Sequence, residues 1–177
     1  MRPTATMSAR VDSRHDVEGR SAESLVTRVA AAIARDAGPS VFEHVDTAID
    51  EARIVTLSGR VLEEAMLGEL ADIVGGIKGV AALHNQISVL PVSTRDQDLR
   101  LATARAVYGH PELWRYGVNG GGAVHIVVEQ GRVTLAGFVD TEADRVVAQT
   151  VAQSVARSVT NGLRTPRQGT SAHHPTT

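Results

Sequence analysis

The side chains able to do chemistry are scattered along this chain rather than gathered. It carries seven histidines and no cysteine, so a metal centre would depend on histidine and carboxylate ligands. His15, His44, His84, His110 and His125 show no His-x3-His or related spacing, and His173-His174 adjoin near the C-terminus. Histidines dispersed in this way read as surface or half-buried side chains rather than ligands. Glu63, Glu64 and Glu142 stand where helices are expected to begin, and carboxylates there complement the helix dipole without any catalytic role. Ser58 precedes Gly59, but the Gly-x-Ser-x-Gly turn of a nucleophile elbow is missing. Gly120-Gly121-Gly122 lacks the Gly-Lys-Ser/Thr that opens a helix in a phosphate loop, and reads as a connection. No catalytic residue, metal ligand or cofactor is assigned.

The most suggestive cluster is Leu113-Trp114-Arg115-Tyr116. A tryptophan, an arginine and a tyrosine together can sit at a membrane interface, aromatic bodies partly buried and polar tips wet, or form a protein-contact hot spot. The alternative is that Trp114 and Tyr116 cover a thin core. Arg100, Arg105, Arg132 and Arg145 belong to the same half of the chain and could add positive charge. Trp114, Arg115, Tyr116 and Arg145 are therefore the candidate contact residues for a lipid or protein partner. Gly76-Ile77-Lys78-Gly79 has the GXXG form with which KH modules clamp RNA, yet a strand is expected after it. The net charge of -2 also supplies no basic field, so no nucleic-acid partner is expected.

Hydrophobic residues make up 42% of the chain and aromatics only 3%, which calls for small cores of Val, Ile, Leu and Ala. No run approaches the roughly 18–20 apolar residues of a membrane span. Peripheral contact is the one membrane role left open. The stretch before residue 23 carries Arg2, Arg10, Arg14 and Arg20 but no apolar leader run, so export is not visible in the sequence as it stands.

An internal repeat sets the architecture. Val55-Thr56-Leu57-Ser58-Gly59-Arg60-Val61 returns as Val133-Thr134-Leu135-Ala136-Gly137-Phe138-Val139, 78 positions on, and Asn85 returns as Asn161, 76 positions on. The second copy has thus lost two residues between these blocks. Each copy opens with a helix, marked by Leu25, Val26, Val29, Ala30 and Ile33, then by Leu99, Ala102, Ala106 and Val107, the latter after a Thr94/Gln97 capping box. Alternating strands around Val45–Val61 and Val124–Val139 follow as hairpins. The first turn, Asp50-Glu51-Ala52-Arg53, is one residue longer than the second, which has Gly131. A second helix carries Met66, Leu67, Leu70, Ile73, Val74 and Ile77 in one copy and Ala143, Val146, Val147, Val151 and Val155 in the other. A short strand closes each copy, near Leu83–Val89 and Val159–Leu163. The expected fold is α+β: two tandem αββαβ modules at 23–91 and 94–164, each a small mixed sheet against two helices, with disordered tails at 1–22 and 165–177.

These blocks, together with Gly79-Val80-Ala81-Ala82-Leu83-His84-Asn85-Gln86-Ile87 and Val159-Thr160-Asn161-Gly162-Leu163, resemble the BON family of bacterial osmotic-shock and nodulation proteins, specifically its tandem members. The resemblance implies a non-enzymatic module of the cell envelope that docks on anionic phospholipid or an envelope protein. It also implies a periplasmic or envelope location, with the cytoplasm as the alternative. A protein-interaction or self-associating module without lipid binding is the competing expectation. The sequence departs from the family pattern at Arg53, where a turn glycine is usual, and at Val155-Ala156, which replaces a Gly-Val pair.

Overall fold

The computed structural model describes residues 25–118 and 123–166. The expected N-terminal tail, most of the C-terminal one, Gly120-Gly121-Gly122, His15 and His173-His174 lie outside them. Helix α1 runs over residues 25–32 and passes into a π-helical turn, Ile33–Ala37. Leu25, Val29, Ala32 and Ile33 form its buried side. Gly38, at φ 51°, ends it by donating its N–H to the Ile33 carbonyl, a left-handed cap that glycine adopts without a Cβ penalty.

Strands β1 (His44–Ile49) and β2 (Ile54–Val61) pair antiparallel; α2 (Ala65–Gly75) crosses over, and β3 (Ala82–Val89) returns parallel to β2. The second unit repeats this with α3 (Thr94–Tyr108), β4 (Val124–Glu129), β5 (Arg132–Gly137), α5 (Glu142–Val155) and β6 (Ser158–Asn161). A short helix α4 (Arg115–Val118) is inserted ahead of β4. The sheet orders β1-β2-β3 and β4-β5-β6 are the same topology, so the doubled α+β unit is present. Each unit has its own core: Leu25, Val55, Leu57, Leu70 and Val74 in one, Val107, Ile126, Val128, Leu135 and Ala148 in the other. Each large aliphatic chain so buried contributes about 1.5–3 kcal/mol.

The repeated glycine has a steric cause. Gly59 faces Val45 and Gly137 faces Val124 across equivalent hairpins, at φ 144° and 104°. A Cβ at either would strike the backbone carbonyl of His44 or of Ala123. The hairpin turns differ as their lengths require. Gln130 and Gly131 form a two-residue loop, both with positive φ, which suits a type I′ turn. Residues 51–53 form the longer loop, and Arg53 takes the left-handed conformation at φ 62°. The two lost residues come from the connection after the second helix, where α5 leads almost directly into β6.

Three sequence expectations are corrected. Ser93, not Thr94, caps α3, its hydroxyl accepting from the Asp96 N–H at 3.2 Å; Thr94 is the first helical residue. The buried line of α3 is Asp96, Arg100, Thr103 and Val107; of the expected stripe Val107 is buried and Leu99 packs against the core, while Ala102 and Ala106 are only half-buried. On α5 the buried line is Asp144, Ala148 and Ala152; of the expected stripe Val147 and Val151 pack against the core beside it, while Val146 is 54% exposed. The reason is common to both helices. α3 packs on α5, and Thr103, Ala148 and Ala152 allow close approach where valines would hold the helices apart, so the larger chains flank the contact.

Candidate functional site

After α3 the chain turns on His110, whose carbonyl accepts the N–H groups of both Leu113 and Trp114 at 3.0 Å. Leu113 is fully buried and Trp114 is 55% exposed, so the turn anchors one neighbour and presents the other. Tyr116, at 6% exposure, closes the core. Its hydroxyl accepts from the Asp140 N–H at 2.9 Å and faces the carboxylates of Asp144 at 2.9 Å and Asp140 at 3.1 Å. Burial raises the tyrosine pKa, so the hydroxyl keeps its proton and donates.

The Arg115 guanidinium stacks over the Tyr116 ring at 4.7 Å. It reaches Asp144 at 2.9 Å and Asp140 at 3.5 Å. Thr141, the N-cap of α5, donates its hydroxyl to Asp144 at 2.7 Å and accepts the Asp144 N–H. Burial pushes the Asp144 carboxyl upward, but the bonds from Thr141 and Tyr116 and the Arg115 charge hold it below the usual range. Arg145 is not part of this group; its Nε donates to Glu142 at 2.8 Å. Of the four candidates, then, Trp114 is an exposed apolar surface, Arg115 is exposed but ion-paired, Tyr116 is architecture, and Arg145 pairs along its own helix. Arg100, counted from sequence as added surface charge, is corrected: it is 7% exposed, and its Nη2 donates to the Val128 carbonyl at 3.0 Å.

A second constellation, missed by sequence reasoning, joins the two units. The Ile126 N–H donates to the Val41 carbonyl at 2.7 Å, and Phe42 packs on the second core. The rings of His44 and His125 stand 5.3 Å apart. His125 Nδ1 lies 3.2 Å from the Ser40 carbonyl, and His44 Nε2 lies 2.9 Å from Asp46. Arg164 reaches Asp46 at 2.6 Å and covers the Phe138 ring at 4.6 Å. Arg60 approaches Glu129 at 3.3 Å. One signal could have found this interface: Val127 interrupts alternation between Ile126 and Val128, and an apolar residue on the outer face of a sheet needs a cover. Val127 is indeed only 7% exposed.

Two clefts flank the junction. One, of about 510 Å3, includes His44, Arg60, Arg132, Thr134 and Thr160 in its lining; the other, of about 520 Å3, includes Ile33, Val45, His125, Phe138 and Arg164. Neither is lined by the Trp114 group. Among the described residues no cluster of three or more His, Asp or Glu side chains could hold a metal. No described helix is long and apolar enough to cross a membrane.

No curated protein matches the chain. Two solved structures of CdsD, a structural protein of the type III secretion system of Chlamydia trachomatis, are similar to it. Its C-terminal domain matches at 19% identity over 67% of this chain and 55% of that one, with a TM-score of 0.27. A second CdsD structure matches at 19% identity over 87% and 70%, with a TM-score of 0.33. The chain thus spans 55% of the length of the first of these. Residues 21–91 and 114–167 match the family model described as the BON domain.

Proposed function

The chain belongs to the BON domain family, and from that premise we propose that it is a non-enzymatic binding protein of the bacterial envelope whose module at 94–164 docks on a phospholipid surface. Members of this family are generally non-catalytic, envelope-associated binding modules, a character that fits a cluster in which Arg115, Tyr116 and Asp144 are bonded to one another. The observation that carries the docking reading is Trp114, held 55% exposed between the buried Leu113 and Tyr116. A rigid, projecting indole can enter the headgroup region without loss of core packing. The module at 23–91 is its packed companion.

Arg115 and Arg145 are both ion-paired, so ring insertion rather than charge carries the docking. Trp114 is the one tryptophan in the chain, and its emission reads contact directly. Phosphatidylglycerol vesicles should shift that emission to the blue with weak salt dependence, and Trp114→Ala should abolish co-sedimentation. An emission spectrum unmoved by either anionic or zwitterionic vesicles would sink the lipid reading.

A second reading has its own support. Asp140, Glu142 and Asp144 surround the two arginines, leaving no net basic patch beside the indole, which suits a protein surface or a second copy of the chain better than anionic lipid. In that case vesicles have no effect, while light scattering or a salt-tolerant complex lost in Trp114→Ala reports the contact.

A further inference from the structure

We propose that the 510 Å3 cleft between the units binds a small anion bearing a phosphoryl group. Its floor is Val127 and Ala136, each 7% exposed on the outer face of β4 and β5. One wall is His44 and Arg60, opposite each other at the ends of β1 and β2. The other is Arg132, Thr134 and Thr160, the two threonines directly paired across β5 and β6. The volume falls within the range of about 300–1,000 Å3 typical of small-molecule sites.

Charge selects the ligand. Arg60 donates to the Gly59 carbonyl at 3.1 Å and to Glu129 at 3.3 Å, and that pair is about 40% exposed on both sides, a weak hold. Arg132 is exposed and has no ion-pair partner among the described residues. The cleft therefore sets two guanidinium groups against one carboxylate. Guanidinium forks grip phosphate oxygens bidentately, and two threonine hydroxyls add donors. Three terminal phosphoryl oxygens can share these groups, whereas a carboxylate offers two. The phosphoryl group can come from a soluble metabolite or a lipid headgroup, and the site is separate from Trp114.

Titration of the full chain with glycerol 3-phosphate and inorganic phosphate, followed by NMR or calorimetry, tests this, with glycerol as the neutral control. Saturable binding is expected at millimolar concentrations or below. Arg132→Gln should weaken it about tenfold, the scale of one charge-assisted hydrogen bond, and Arg105→Gln should leave it unchanged. Glu129→Gln is decisive: freeing Arg60 should tighten binding severalfold, whereas a merely structural ion pair would give no gain. Capture by phosphatidic acid vesicles, whose phosphomonoester presents three terminal oxygens, that is weakened in Arg132→Gln assigns the headgroup as the source; response to the soluble phosphates alone assigns a metabolite. Response to neither, or equal affinity in wild type and Arg132→Gln, overturns the proposal. The Trp114 emission experiment stands or falls independently.

Discussion

The Arg164 guanidinium donates to the Asp46 carboxylate at 2.6 Å, tying the end of the second unit to the first strand of the first. Hydrogen bonding from His44, and then from Arg164, holds the Asp46 pKa at about 2, below its ordinary 3.8. A carboxylate depressed on folding stabilises above its unfolded pKa and loses that contribution as pH falls through the folded one. Both side chains are nearly half exposed, at 48% and 47%, so screening limits the effect to about 1 kcal/mol. Asp46→Asn should lower stability to urea by that amount near neutral pH, and the gap to wild type should close as pH approaches 2. A gap that persists in acid would show the loss is not electrostatic.

Gly59 and Gly137 predict a matched pair of failures. Each Cβ would meet backbone, of His44 or Ala123, at positive φ, and backbone cannot swing aside as a flexible side chain does. Gly59→Ala and Gly137→Ala should each cost at least about 3 kcal/mol. Gly131 has open space around it at φ 75°, so Gly131→Ala should cost only the left-handed penalty of about 1–2 kcal/mol. Chemical denaturation of the three variants, compared side by side, checks the ranking.

Asp96, 3% exposed, reaches from α3 to the far hairpin and accepts the N–H groups of Gln130 and Gly131, each at 2.8 Å. Removing it strands two donors of a positive-φ turn, so Asp96→Ala should destabilise by about 2–4 kcal/mol. Hydrogen exchange at those two amides should rise more than at the β5–β6 pairing; uniform acceleration would mean that the carboxylate serves the whole module rather than the turn.

That clamp also marks the limit of what sequence could convey. Alternation and a twice-repeated Val-Thr-Leu-x-Gly block are local signals, and they located the hairpins, both helices and the doubling. Asp96 and Arg100 are buried because their partners lie about thirty residues away on another element, and no local period encodes that. The α5 stripe misled for a related cause, since Ala148 is chosen by the approach of α3, not by its own hydrophobicity. The Trp114 cluster was visible as composition, but its division into an exposed indole and a buried phenol depends on Asp140 and Asp144, more than twenty residues on.

Trp114 and Tyr116 should accordingly separate function from architecture. Trp114→Ala removes a ring that is more than half in solvent, and stability should stay within about 0.5 kcal/mol of wild type. Tyr116→Phe deletes the oxygen that accepts from Asp140 and donates to Asp144, and should cost about 1–3 kcal/mol. Thermal denaturation of both variants measures the contrast, and a large loss for Trp114→Ala would make that residue a core lid.

His125 gives the junction a pH dependence of opposite origin to that of Asp46. Burial first, and then the nearby His44, lower its pKa below 6.5, against the pull of the Ser40 and Glu43 backbone contacts and of Asp46. The released or unfolded chain therefore takes up the proton before the packed one does, and the packed form loses stability as pH falls from about 6.5. The Ile126 N–H, bonded to the Val41 carbonyl at 2.7 Å, lies beside His125 and reports this locally. Its exchange, corrected for the intrinsic rate, should quicken between neutral and mildly acidic pH in wild type and stay level in His125→Gln, which keeps a donor for Ser40 but cannot titrate. An equal pH response in the two proteins would place the titrating group elsewhere in the junction.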